Sequence, residues 1–300
     1  MKTLICIGGP TASGKTRLAI ELALIFGTEI VSFDSRQIYK EMEIGVARPT
    51  SAELAAVKHH LIASYSITEE VSAGKFADTS RALIKNIFAD RDFVIAVGGN
   101  GFYLQKLLYP MDEIPAVTKE VKMYVESQEK ESGMQWLQDY VRENDPKQFQ
   151  AMDQQNPARL RRVAEVMAQT GKPFSSYLGK TRTVDLPVDR VLYFALMPER
   201  QRLYGRINNR VDVMIREGLV DEVKSLMQYK DLKAMNTVGY SEIFQYLEGS
   251  ISLDRAIELI KQNSRNYAKR QYTWFRNQND WFPIHADNID QQIEIIKSKL

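Results

Sequence analysis

One cysteine in 300 residues rules out an internal disulfide and a thiolate-rich metal site. That residue, Cys6, sits in the first apolar run, where a free thiol behaves as a small buried hydrophobe. Histidine is nearly as scarce, at three residues. The adjacent His59 and His60 point different ways, with no carboxylates at matching spacing, so they read as structural rather than metal-binding. No apolar run approaches the roughly 20 residues of a membrane span, and the first, Met1 to Ile7, breaks at Gly8-Gly9-Pro10, too short for a signal peptide. The expectation is a cytoplasmic protein with no membrane partner. An excess of one charge is also missing: 40 basic against 38 acidic residues leave +2, so a polyanion partner must be argued from local clusters. Internal repeats and low-complexity segments are absent. With 44% hydrophobic and 26% charged residues, the composition is that of a globular chain rather than a disordered or fibrous one.

What is present is the grammar of an α/β fold. Thr3 to Ile7 is short, apolar and followed by glycines, as expected of a strand buried on both faces of a parallel sheet. Residues 29–33 and 93–97 repeat the pattern, and residues 191–196 supply a fourth strand. Helical patterns cover Leu18 to Phe26, ended by Gly27, then Glu199 to Gln228, broken near Gly218, then Ser252 to Arg276, and Asp287 to Leu300. Such alternation implies right-handed βαβ units and a parallel sheet flanked by helices. Because 300 residues exceed the roughly 100–200 usual for one domain, a second unit is expected. Residues 112–187 are helical in pattern without a convincing strand, so they read as an all-helical insertion in a core made of 1–111 and 188–300. Within it, Asn156 and Pro157 start a helix that Gly171 stops.

Gly9, Pro10, Thr11, Ala12, Ser13, Gly14, Lys15 and Thr16 match the phosphate-loop pattern G-x-x-x-x-G-K-[ST] between a strand and a helix. Glycines at both ends let the backbone curl so that successive amides face phosphate oxygens, and the helix N-terminus adds partial positive charge. Lys15 supplies a point charge, and the Thr16 hydroxyl can ligate Mg²⁺. This P-loop NTPase-like unit would hold a diphosphate or triphosphate.

Other candidates gather at the carboxyl ends of strands, where such sheets bind ligands. Asp34 follows the second strand; ionised, it accepts hydrogen bonds and then a proton, unless it merely caps a helix. Gly98-Gly99-Asn100-Gly101 permits close backbone approach and offers an amide, or is a plain turn. Arg206 and Arg210 lie one helical turn apart and suit an oligophosphate. Arg159, Arg161 and Arg162, and separately Arg265, Lys269 and Arg270 interleaved with Tyr267, Tyr272, Trp274 and Phe275, combine charge with stacking surface for unpaired bases. Each basic cluster also reads as an ordinary exposed face.

Together these segments resemble the bacterial tRNA dimethylallyltransferases. The resemblance rests on 9–16, Asp34-Ser35-Arg36-Gln37, Arg48-Pro49-Thr50, 98–103, Asn156 through Pro173, 218–223, Val238-Gly239-Tyr240, and Ala268-Lys269-Arg270-Gln271 with Thr273-Trp274. Asn100 replaces the family's usual threonine and Arg48 its usual lysine, and no carboxyl-terminal zinc finger is expected. The resemblance implies that Asp34 is the general base toward an adenosine amine, with Ser35, Arg36, Gln37 and Asn100 at the tRNA. It adds Lys122, Ala158, Arg159, Leu160, Arg161, Arg162, Lys269 and Arg270 as tRNA contacts, and either Arg210 or Arg206 on the diphosphate.

The implied reaction transfers a dimethylallyl group from dimethylallyl diphosphate to the exocyclic amine of the adenosine 3′-adjacent to the anticodon. Lys15, Thr16 with Mg²⁺, and Arg210 would stabilise the leaving diphosphate. The expected partner is a tRNA anticodon stem-loop, gripped by insertion and core, and the expected state is a monomer. A P-loop small-molecule or nucleoside kinase is the alternative, since the loop, Asp34 and the arginines would equally serve phosphoryl transfer. A non-catalytic, nucleotide-dependent RNA binder is a third reading, one that would not require Asp34.

Overall fold

The computed structural model describes residues 1–179 and 183–300; residues 180–182 of the expected insertion lie outside the described residues. The first apolar run is strand β1 (Thr3–Gly8), buried along its whole length. Its neighbours are β4 (Phe93–Val97) and β5 (Arg190–Leu196), both parallel to it. With β2 (Ile30–Ser32) and the two-residue β3 (His59–His60) on one side and β6 (Phe282–Ile284) on the other, the order is β3-β2-β4-β1-β5-β6, and every pair is parallel. The sequence pattern does not mark β3 or β6. Both are short edge strands, one polar and one interrupted by Pro283, a residue that edges tolerate and sheet centres do not.

Helix α1 (Lys15–Phe26) begins three residues before the expected Leu18, directly at the end of the phosphate loop. Its first turn is polar, so apolar periodicity alone sets the start too late. Its inner face, with Leu18, Leu22 and Ala23, packs on Ile5, Ile7, Ile30 and Ile95 of the sheet. Gly27 ends it at φ 57°, the left-handed conformation that glycine adopts at no steric cost. The short α2 (Ser51–Ala56) is capped by Thr50. Helices α3 (Ala73–Asp90) and α4 (Gly101–Leu108) flank β4 in sequence.

The described residues fall into two compact units, Met1–Leu108 with Asp185–Leu300, and Tyr109–Val184. The second is built from α5 (Lys119–Asn144), bent at Gly133, with α6 (Pro146–Ala151) and α7 (Pro157–Thr170). Asn156 caps α7 by accepting from Arg159 N at 3.2 Å, Pro157 occupies the first turn, and Gly171 ends it at φ 66°. The unit's own core joins Val125, Leu137, Val141, Leu160, Val163 and Phe174. Buried Asp145 accepts from Gln148 N, Ser175 N and Ser175 Oγ, tying α6 to the turn after α7.

After β5 the chain forms α8 (Arg200–Arg216) and α9 (Leu219–Ser225), separated at Gly218, whose φ of 101° interrupts the helix. Helix α10 (Tyr240–Leu247) precedes the 24-residue α11 (Leu253–Arg276), capped by Ser252, and α12 (Ile289–Lys297) closes the fold. Helix α11 packs on α8 and α10. This places its inner face beside the loops at the carboxyl ends of β1 and β4.

Candidate active site

The phosphate loop leaves β1 pressed against β5: a Cβ on Gly9, at φ 138°, would lie 2.5 Å from the Leu196 carbonyl. Ala12 is held left-handed at φ 61°, and Gly14 starts α1 at φ 94°. Lys15 Nζ donates to the Pro10 carbonyl at 2.6 Å, folded back over its own loop. Burial pulls its ammonium from 10.5 down to about 7, opposed by nearby Asp34 and reinforced by Arg210.

Arg210, on α8, reaches the loop and donates to Thr11 Oγ1. Burial lowers its ionisation as well, and Asp34 opposes this. Arg206, one turn earlier, is partly exposed and is held by Asp287 at 3.1 Å, beside Arg202. Both arginines line the first cavity, but Arg210, the preferred diphosphate contact, is bonded to the loop itself, whereas Arg206 is bonded to Asp287.

Asp34 caps no helix. Its Oδ1 accepts from Arg36 N at 2.8 Å and Gln37 N at 3.2 Å, a turn that fixes the carboxylate and leaves Oδ2 for a substrate. Two cavities meet at this residue. The first, of about 380 Å³, runs from the loop residues 11–17 to an apolar wall that includes Val46, Pro49, Ile62 and Val97. The second, of about 720 Å³, is lined largely by amides and hydroxyls, among them Ser35, Asn100, Thr237, Gln245 and Asn263. Thr11, Asp34, Val46, Arg210 and Tyr267 line both.

Sequence reasoning misses the part played by Gln271. Buried on α11, it accepts from Thr11 N at 2.8 Å and donates to the Gly99 carbonyl at 2.9 Å, joining the phosphate loop to the β4 loop. A Cβ on Gly99 would stand 2.2 Å from Gln271 Nε2, so this glycine makes room for the Gln271 side chain. The only signal in sequence is its place in the run 268–271.

Several expected contacts take other roles. Arg36 donates to the carbonyls of Lys233, Ala234 and Asn236, and Gln37 to those of Val46 and Ala47, so both spend donors inside the protein. Asn100 Oδ1 accepts from Phe102 N and Tyr103 N, and its Nδ2 reaches Ser35 Oγ at 2.9 Å. Of the aromatics on α11, Trp274 and Phe275 pack with Trp281 against Ala195 and Met197, and Tyr272 joins them. These rings complete the fold and do not offer a stacking platform. Tyr267 alone lines the cavities, with the Arg270 guanidinium 5.7 Å from its ring. Burial pushes the Tyr267 hydroxyl up to about 12, with Asp34 acting in the same direction. Lys269 and Arg270 are exposed.

In the helical unit, Ala158 and Arg159 are exposed, as is Lys122. Leu160 is wholly buried in that unit's core, so the expected tRNA contact is corrected: its apolar side chain holds α7 on α5. Arg161 forms a bidentate pair with Glu129 at 2.5 and 2.8 Å, and Arg162 lies 3.8 Å from Glu165. His60 pairs with Glu29 at 2.5 Å, and His59 Nδ1 meets the Val57 carbonyl at 2.8 Å. Among the described residues no group of three His, Cys, Asp or Glu side chains could hold a metal ion, and no helix is long and apolar enough to cross a membrane.

A parallel sheet with a phosphate loop after its central strand, a cationic cavity and a polar one sharing a carboxylate, defines a P-loop enzyme that brings two substrates together. The chain matches the family described as IPP transferase over residues 37–278. It is 41% identical to the tRNA dimethylallyltransferase of Christiangramia forsetii, over 99% of this chain and 98% of that protein. The crystal structure of the full-length tRNA isopentenylpyrophosphate transferase from Bacillus halodurans superposes with a TM-score of 0.71 at 34% identity, covering 100% of this chain and 95% of that one. A eukaryotic dimethylallyltransferase acting on tRNA shares the fold, with a TM-score of 0.82 at 24% identity over 100% and 77% of the two chains. The chain belongs to the tRNA dimethylallyltransferase (IPP transferase) family.

Proposed function

We propose that this protein transfers a dimethylallyl group from dimethylallyl diphosphate to the exocyclic amine of the adenosine 3′-adjacent to the tRNA anticodon, releasing diphosphate. The observation that carries this reading is Asp34 at the junction of the two cavities. One cavity presents loop amides, Lys15 and Arg210 beside an apolar wall, which suits a diphosphate with a short hydrocarbon tail. The other is polar and larger than the first, which suits a nucleoside extruded from a loop. The amine nitrogen bonds to the allylic carbon, the carbon–oxygen bond to the diphosphate breaks, and Asp34 accepts the amine proton. Loop amides, Lys15 and Arg210 receive the negative charge of the leaving group.

The residues fit Mg²⁺. The Thr16 hydroxyl lines the first cavity, and this ion is commonly held by one or two hard protein oxygens completed by phosphate oxygens and water. Bound there, the ion would help neutralise the diphosphate. The exposed Lys122, Ala158, Arg159, Lys269 and Arg270 are the proposed tRNA contacts, with Arg161 and Arg162 beside them. Ser35, Arg36 and Asn100 line the pocket proposed for the adenosine, and Gln37, which lines the first cavity, completes the proposed tRNA contacts. The protein would act as a monomer in the cytoplasm.

Phosphoryl transfer to a small acceptor is not favoured. It has no use for a cavity of about 720 Å³ on the far side of the base. The test incubates the protein with unmodified tRNA, labelled dimethylallyl diphosphate and Mg²⁺, and in parallel with labelled ATP and candidate acceptors. Prenyl label in tRNA, reduced about 10²- to 10⁴-fold in Asp34→Ala, is the expected outcome. Labelled phosphate in an acceptor overturns the reading.

A further inference from the structure

Residues 34–48 contain no helix or strand, yet they wall both cavities: Ala47 lines the first, Gly45 the second, and Val46 both. The segment keeps a few backbone bonds, such as Lys40 N to the Tyr65 carbonyl, Ala47 N to that of Ile44 and Arg48 N to that of Glu43, and side chains bond others of its amides and carbonyls. Arg48 Nη2 donates to the carbonyls of Tyr39, Lys40 and Met42 at 3.0, 2.7 and 2.5 Å. The amides of residues 43–45 are held from outside the segment. Glu222, on α9, accepts from Glu43 N at 3.1 Å, Ile44 N at 2.7 Å and Gly45 N at 3.0 Å, and from the Tyr240 hydroxyl at 2.6 Å.

Three consecutive N–H groups converging on one carboxylate form an anion nest, with charge-assisted bonds stronger than neutral ones. Tyr240 is fully buried, and a Cβ on Gly45 would lie 2.4 Å from its ring. The ring therefore fixes where the carboxylate and the chain meet. Neither Glu222 nor Tyr240 lines either of the two cavities.

We propose that Glu222, held by Tyr240, is a positioning residue that sets the wall common to the donor and acceptor cavities. The amides it binds, 43–45, run directly into Val46 and Ala47. Releasing them displaces one surface that both substrates touch. A glutamine in its place offers one acceptor oxygen and turns an amino group toward backbone donors, so it cannot satisfy all three.

The inference rests on the prenyl-transfer reading. Its test compares the native protein with Glu222→Gln, Tyr240→Phe and, as a control for general destabilisation, Ile296→Ala on α12, a buried residue that lines neither cavity. In Glu222→Gln the KM values for dimethylallyl diphosphate and for tRNA should both rise about tenfold or more. Tyr240→Phe should move both in the same direction by about threefold, and Ile296→Ala should lower Tm with both KM values unchanged. Hydrogen exchange at amides 43–45 should quicken in the first two variants. Values within twofold of native, or a rise for one substrate only, overturn the proposal. If Glu222→Gln does not fold, Tyr240→Phe is judged by the same criteria. Failure of the native protein to prenylate tRNA refutes the functional reading instead, and the exchange measurement, which needs no activity, still decides whether Glu222 holds the wall.

Discussion

Lys15 gives the sharpest quantitative test, because its burial makes donor binding a proton-coupled event. Without a ligand its ammonium ionises near about 7, against an ordinary 10.5, a difference of roughly 5 kcal/mol against the charged form. A diphosphate seated on the loop restores the charge. Above pH 7 the protein must therefore take up a proton to bind it, while below pH 7 the proton is already present. With the last ionisation of the terminal phosphate centred at about pH 6, net uptake should be about 0.9 proton per donor at pH 8 and about 0.4 at pH 7, turning to net release by about pH 6 as the protonated donor gives up its own proton. Affinity should fall about tenfold per pH unit above 7. Calorimetric titration with dimethylallyl diphosphate in buffers of different ionisation enthalpy measures the uptake directly. Lys15→Arg, which stays charged, should abolish it. The same linkage acts on stability: between about 7 and 10.5 the unfolded chain holds a proton that the folded one lacks, so stability should rise with pH across this window. No uptake at pH 8, or equal uptake in Lys15→Arg, would refute the reasoning.

The two arginines of α8 should separate cleanly. Arg210→Gln removes a buried guanidinium worth about 4 kcal/mol to a charge 4 Å away, and kcat/KM should drop about 10²- to 10³-fold. Arg206→Gln breaks a partly exposed pair with Asp287 and should cost less than about fivefold. Gly99→Ala would drive a Cβ to 2.2 Å from Gln271 Nε2 and part the two loops that Gln271 joins; kcat should fall about tenfold or more with Tm nearly unchanged. Leu160→Ala opens the core of the helical unit at a cost of about 2–5 kcal/mol. The tRNA KM should then rise while the KM for dimethylallyl diphosphate stays at its native value.

Much of the sheet is legible in sequence because strands buried on both faces must be apolar throughout, as residues 93–97 are. Helix α7 is legible because Asn156, Pro157 and Gly171 each act on the backbone locally. The edge strands are not, since pairing on one side relaxes the demand for apolar residues. At the site, the phosphate loop and Asp34 announce themselves by type and position. Gln271, Glu222 and Tyr240 do not: each acts through partners 18 to 260 residues away in sequence, and nothing in a local pattern distinguishes them from surface polar residues. Trp274 and Phe275 mislead for the converse reason. Aromatics beside basic residues look like a stacking surface until a helix face, invisible in composition, turns them into the core.

The placement of Asp34 also bears on the charge balance of the proposed reaction. Lys15, Arg210 and Asp34 line one cavity, so a diphosphate drawn onto the loop would bring its negative charge to the same place as the carboxylate. In the proposed transfer the carbon–oxygen bond breaks and negative charge gathers on the diphosphate, while Asp34 accepts the amine proton and loses its own charge. The two changes offset each other within one cavity, so the surroundings that receive the leaving group lose a neighbouring negative charge in the same reaction.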